Sequence, residues 1–129
     1  METRSTIHIY SKYGKNLVNI YTQYDGYYQG VGKEIYEFWN NKENYGNGFR
    51  NTALLFISQY KGNKPYNRYL TDERDEQEYN YYIYEDKENY VSFSIRKETW
   101  IAERRQFYME TTLRYGSLKE FLEELNTEE

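Results

Sequence analysis

The segment Tyr90-Val91-Ser92-Phe93-Ser94-Ile95-Arg96 alternates apolar and polar side chains, and it follows Tyr79-Asn80-Tyr81-Tyr82-Ile83-Tyr84 across the polar turn Glu85-Asp86-Lys87-Glu88-Asn89. Successive side chains of a strand point to opposite faces, so Val91, Phe93 and Ile95 share one side while Ser92, Ser94 and Arg96 share the other. The pair reads as a β-hairpin with one apolar face, and such a face needs a cover. Helices are the expected cover.

The same reasoning extends along the chain. Ser5-Thr6-Ile7-His8-Ile9-Tyr10 alternates, with Ile7 and Ile9 opposite Thr6, His8 and Tyr10; the polar, Gly-containing turn at 11–16 leads to a second strand over 17–24. This places His8 on a polar face, where a surface position is expected. In 31–39 the apolar residues Val31, Ile35, Phe38 and Trp39 fall at helical spacing, and residues 40–48 end that helix. Residues 49–60 enclose Ala53-Leu54-Leu55-Phe56-Ile57, apolar on every side. Helix and buried strand both fit; a buried helix is preferred, capped by Asn51 or Thr52 and stopped by Gly62 and Pro65. The polar stretch 62–78 reads as a long loop with a short edge strand at Tyr69-Leu70. Residues 99–112 are ambiguous and are read as strand. Ser117-Leu118-Lys119-Glu120 is a capping box opening a terminal helix with the stripe Leu118, Phe121, Leu122 and Leu125. The expectation is one α+β domain over residues 1–129: an antiparallel sheet of about five strands with two or three helices packed on one face.

Composition narrows the chemistry. With no cysteine there is no thiolate nucleophile, disulfide or cysteine-held metal, and with His8 as the single histidine no two-histidine metal site or histidine pair can form within one chain. The expectation is therefore a protein that binds without catalysis and without a cofactor. No apolar run approaches the roughly 18 residues of a membrane span, and the first residues lack the layout of a secretion signal, so a cytoplasmic location is expected. The 18 tyrosines are the oddest feature. Tyrosine supplies stiff contact area with a polar tip and stacks on bases, which suits recognition, although AT-rich coding inflates Tyr, Asn, Lys, Glu and Ile together.

Three places concentrate candidate contacts for a ligand. Tyr24, Asp25 and Tyr27 stand at the turn after the second strand. Gly30 and Gly32 precede a helix, where backbone N–H groups favour anions, though the turn geometry of glycine explains them equally well. Trp100 with Arg104 and Arg105 combines aromatic faces with guanidinium groups that bind phosphate and stack on bases, while solvent-facing strand charges are the plainer account. A separate acidic run, Asp72-Glu73-Arg74-Asp75-Glu76-Gln77-Glu78, has the charge to imitate nucleic-acid phosphates.

The strand at Ser5-Thr6-Ile7, the phrase Gln23-Tyr24-Asp25-Gly26-Tyr27, Gly30-x-Gly32 before a helix, Asn47-Gly48-Phe49, Tyr79-Asn80-Tyr81 and the closing Glu120-Phe121-Leu122 resemble a family of small uncharacterised phage and prophage proteins. Where those relatives commonly carry proline after Asp-Gly-Tyr, this chain has Tyr28, and Arg50-Asn51-Thr52 replaces their glycine-rich stretch. The resemblance implies an anti-defence role in the host cytoplasm. One expectation is a sponge that sequesters a cyclic nucleotide or related small signalling molecule, as in Thoeris or cyclic-oligonucleotide signalling, by a homo-oligomer. The other is a protein-binding inhibitor of a host immune protein such as a CRISPR effector. A carboxylate-dependent enzyme working through Asp25 is a third class.

Overall fold

The computed structural model describes residues 2–74, 77–101, 106–111 and 117–127, with 98–101 and 106–111 described as backbone. The fold is α+β. Strands β1 (Ser5–Tyr10), β2 (Asn16–Thr22), β3 (Arg68–Leu70), β4 (Tyr79–Asp86), β5 (Tyr90–Ile101) and β6 (Gln106–Thr111) form one sheet in the order β3-β2-β1-β4-β5-β6. A π-turn at Tyr28–Gly32 leads into helix α1 (Lys33–Asn40), a 3-10 turn at Lys42–Asn44 lies between α1 and α2 (Phe49–Asn63), and α3 (Leu118–Leu125) follows β6. Among the described residues no helix is long and apolar enough to cross a membrane.

The β1–β2 and β4–β5 hairpins form as the alternation predicts. Of the segment read as strand over 99–112, the described residues are strand: β5 continues to Ile101 and β6 pairs antiparallel with it, while 102–105 and 112 lie outside the described residues. One pairing corrects the antiparallel expectation, because β1 and β4 run parallel, with Ile7 beside Tyr81 and Ile9 beside Ile83. The cause is the connection. β3 pairs antiparallel with β2 at the sheet edge, and the segment after it doubles back, so the chain re-enters beside β1 in β1's own direction.

Register sorts the side chains onto two faces. Ile7, Ile9, Ile20, Tyr81, Ile83, Phe93 and Ile95 occupy one, all buried. The helices cover this face: Phe121 of α3 stacks on Phe93 at 4.3 Å, and Ile35, Phe38 and Trp39 of α1 and Phe56 and Tyr60 of α2 complete the core. Ser117 caps α3 as its sequence predicts, accepting from the Glu120 amide at 3.3 Å.

α2 is a helix, but it begins earlier than expected. Gly48 stands at its N-cap with φ +87°, and Thr52, expected as a cap, instead donates to the Gly48 carbonyl at 3.0 Å. Nor is α2 buried all round, since Leu54 and Leu55 face solvent. Its apolar run exceeds the width of its buried side.

Candidate functional site

Among the described residues the opposite face of the sheet carries no helix, and here tyrosines gather. Even-numbered positions of β1 and β4 point to this side, and the parallel register sets His8 beside Tyr82 and Tyr10 beside Tyr84. The rings stack side by side. His8 and Tyr82 lie 4.9 Å apart at 15°, Tyr10 and Tyr84 5.4 Å at 20°, and Tyr82 and Tyr84 6.4 Å at 18°. Offset stacking of this kind holds each ring by its neighbours.

His8 is fully buried, which corrects the surface position expected for it. Its Nδ1 lies 2.9 Å from Asn19 Oδ1. The Asn19 amide nitrogen already donates to Asn16 Oδ1 at 2.9 Å and to the Thr71 carbonyl at 3.5 Å, so its oxygen accepts and the network assigns the proton to Nδ1. The alternation was read correctly, but what covers the face is not local. The connection after β3 passes over this side: the Thr71 amide bonds the Asn19 carbonyl, the Tyr10 hydroxyl donates to Glu73 at 3.3 Å, and Asn80 donates to the Gln77 carbonyl at 3.0 Å.

Acidic groups rim the ladder. Glu73 meets Tyr10, and Asp72 holds Arg74 at 3.0 Å, which keeps its carboxyl below the usual range. Asn16, Asn19, Asp72, Glu73 and Arg74 line an open hollow of about 570 Å³ beside the rings. The acidic run was visible in the sequence. The ladder was not, because its formation depends on β1 lying parallel to β4, strands more than sixty residues apart.

A second concavity, about 400 Å³, lies between α1 and α2, lined by Glu34, Glu37, Asn41, Gln59 and Asn63 among others. Beneath it is a buried charge network. The Arg68 side chain is 2% exposed; it gives two hydrogen bonds to Glu34 at 2.8 and 2.7 Å and one to the Tyr60 carbonyl at 2.6 Å, and it lies over the Tyr60 ring at 3.7 Å. Burial pushes the Glu34 carboxyl up, but hydrogen bonds from Arg68 and Asn63 outweigh it and the group titrates below its ordinary value. Burial also raises the Tyr60 hydroxyl, which is hydrogen-bonded to Thr22 at 2.5 Å. Carboxylates and amides line this cleft, and the arginine under it is engaged, a chemistry suited to neutral or cationic groups and not to phosphate.

Of the contacts expected from sequence, those within the described residues fall at one end of the sheet. Tyr24 and Tyr27 are exposed there, at 42% and 39%. Asp25, with φ +61°, accepts from the Tyr27 hydroxyl at 3.3 Å and sits 3.8 Å from Lys64. The backbone amides at the two glycines are taken up within the turn. Gly30 donates to the Tyr27 carbonyl at 3.0 Å, Val31 to Asp25 at 2.9 Å and Gly32 to Tyr27 at 3.4 Å, so these amides are not presented to an anion. Packing explains them: a Cβ on Gly30 would lie 2.1 Å from the Asp25 carbonyl oxygen, and one on Gly32 would lie 2.6 Å from Leu125. β5 continues past this same end, since β4 pairs with it only as far as Lys97, and Trp100 lies on that extension. Arg104 and Arg105 lie outside the described residues, and of Trp100 only the backbone is described. A cation that sequence reading passed over is Lys97, whose Nζ lies 5.9 and 5.2 Å from the ring centres of Tyr28 and Tyr79.

No protein-family model, curated protein or solved structure matches the chain.

Proposed function

We propose that this protein acts by stoichiometric binding to another protein, presenting its tyrosine ladder and acidic rim to a basic surface that otherwise holds nucleic acid. The observation that carries the reading is the stacked set Tyr10, Tyr82 and Tyr84 with Glu73 on Tyr10 and Asp72 lining the hollow beside it. Rings already immobilised by their neighbours lose little further freedom on binding, and tyrosine is among the residues most often found at the energetic centre of interfaces. Carboxylates around such a centre steer it toward lysines and arginines and fix the orientation of the encounter. The phage-like motifs make a bacterial immune effector, a CRISPR nuclease among them, the class to test first; that choice rests on analogy of context.

The test is titration of purified nucleic-acid-binding effectors with the protein. Inhibition should saturate at a fixed stoichiometry, weaken with added salt, and fall with Tyr82→Ala and with Glu73→Lys. Inhibition untouched by both variants would place the binding elsewhere.

Sequestration of a nucleotide second messenger is a second reading, supported by Lys97 above two tyrosine rings at the end of the sheet where Tyr24 and Tyr27 are exposed. Calorimetry with cyclic dinucleotides and trinucleotides separates the two. Tight binding abolished by Lys97→Ala, with no effector inhibited, would favour the sponge.

A further inference from the structure

We infer that Asn47 is a site of spontaneous deamidation, where the folded chain converts an asparagine into aspartate and isoaspartate at the start of α2. Asparagine is among the thermolabile residues, and its side chain is attacked most readily when the next residue has no Cβ to obstruct the approach. Asn47 is the only asparagine in the chain followed by glycine, and Asp25 is the only aspartate so placed. These two dipeptides share the sequence requirement.

The fold treats them oppositely. The Gly26 amide donates to the Thr3 carbonyl at 2.8 Å, and a Cβ on Gly26 would lie 2.8 Å from both the Thr3 oxygen and Ser5 Cβ, so that peptide is fixed in a packed turn. The Gly48 amide has no acceptor among the described residues, and a Cβ on Gly48 or on Gly46 would meet nothing within 4 Å. Asn47 itself is exposed. Its backbone carbonyl accepts from Asn51 Nδ2 at 2.8 Å, while no described residue bonds its side-chain amide. No contact of the nucleophilic nitrogen has to break first. Glycine is nevertheless required at 48, because this N-cap position has φ +87° and its carbonyl accepts from the Thr52 amide at 3.1 Å and hydroxyl at 3.0 Å. The helix start thus demands the residue that leaves Asn47 open to attack.

In the reaction the Gly48 nitrogen bonds to Cγ of Asn47 and gives up its proton, the bond from Cγ to Nδ2 breaks, and ammonia leaves. The product is a cyclic imide. Water then opens it at either carbonyl: cleavage between the Gly48 nitrogen and Cγ restores the main chain with aspartate at 47, and cleavage at the backbone carbonyl routes the chain through the side chain as isoaspartate. Both outcomes alter α2, whose first turn has no acidic residue and whose N-cap has no side-chain hydrogen bond. Aspartate brings negative charge to the positive end of the helix. Isoaspartate lengthens the main chain at the carbonyl that Asn51 holds.

Protein aged in mildly alkaline buffer should gain the mass of an amide-to-acid exchange and release an equal amount of ammonia. Peptide mapping with isoaspartate-specific methylation should place the change at Asn47, with Asp25 unaltered. Asn47→Gln, which keeps the backbone carbonyl for Asn51, should abolish the conversion with unchanged circular dichroism. The same chain aged in urea should convert Asn47 at a similar rate and begin to isomerise Asp25, whose protection is structural. Conversion of Asn47 more than about tenfold slower folded than unfolded, the mark of a site held by structure, would overturn the inference. So would isoaspartate arising first at Asp25 or at another asparagine of the folded protein.

Discussion

The two faces of this sheet are both well buried, yet they are built from opposite chemistry. Under the helices lie Ile7, Ile9, Ile20, Ile83, Phe93 and Ile95; on the helix-free side Thr6, His8, Asn19, Asn80 and Ser92 are just as hidden from solvent. The first set gains free energy in proportion to apolar area removed from water, about 25 cal/mol per Å². The second gains little per group, because each hydrogen bond replaces one made with water and nets only about 1 kcal/mol. What it acquires is position: His8, Asn19, Tyr10 and Tyr82 have defined partners, so the face has one arrangement to offer. The difference teaches that burial does not distinguish core from recognition surface in this molecule, whereas the partners of the buried groups do.

That contrast can be broken by substitution, and the largest effect is expected on the helical side. Phe93→Ala removes a fully buried ring stacked on Phe121 and should cost about 4 kcal/mol in urea denaturation, with any binding by the tyrosine face retained wherever the protein stays folded. Next is the ion pair at the sheet edge. Glu34→Gln leaves Arg68 buried without its counter-charge and should cost about 3 kcal/mol, less if water follows the partly exposed carboxyl. The pH sign follows from the lowered Glu34 value. Its contribution is fully present above the carboxyl's unfolded pKa, about 4.3, and is lost as pH falls through the lower folded value. Acid denaturation of Glu34→Gln should accordingly lack that part of the slope.

A smaller loss is expected at the turn that leads from β2 into α1. Gly30→Ala drives a methyl into the Asp25 carbonyl and should cost about 2 kcal/mol; an unchanged melting curve would show that the turn relaxes and that glycine is kept there for another purpose. Tyr84→Ala, last, removes stacking with Tyr10 and Tyr82 and should cost about 1 kcal/mol of stability. Its effect on partner affinity should exceed its effect on folding. If it destabilised the protein as much as Phe93→Ala, the two faces would be energetically alike and the distinction drawn between them would fail.

Local patterns were legible where the signal was short-range. Alternation in β1, β4 and β5 located the strands, the capping box at Ser117 located α3, and the close packing around Gly30 and Gly32 matches the turn that two nearby glycines suggest. Signals failed where the deciding contact was remote. The apolar run of α2 gave no hint that Leu54 and Leu55 stay exposed, because the width of its buried side is set by the sheet and α1. Arg68, in a polar stretch, looked like any surface cation, and only the approach of Glu34 and Tyr60 makes it a buried one. Of the expected ligand contacts, Tyr24, Asp25 and Tyr27 do lie together, whereas the Gly30 and Gly32 amides are engaged by the turn itself.

By itself the amino-acid sequence determined which side of each strand is apolar, where the helices lie, and that thiol and paired-histidine chemistry are closed to a single chain. Those are consequences of side-chain period and residue type, which act over a few positions. Tertiary structure alone decided that β1 and β4 run parallel, that His8 is buried, and that tyrosines from distant strands share one ladder. Each of these depends on which segments meet, and that is settled by the route of the chain between them.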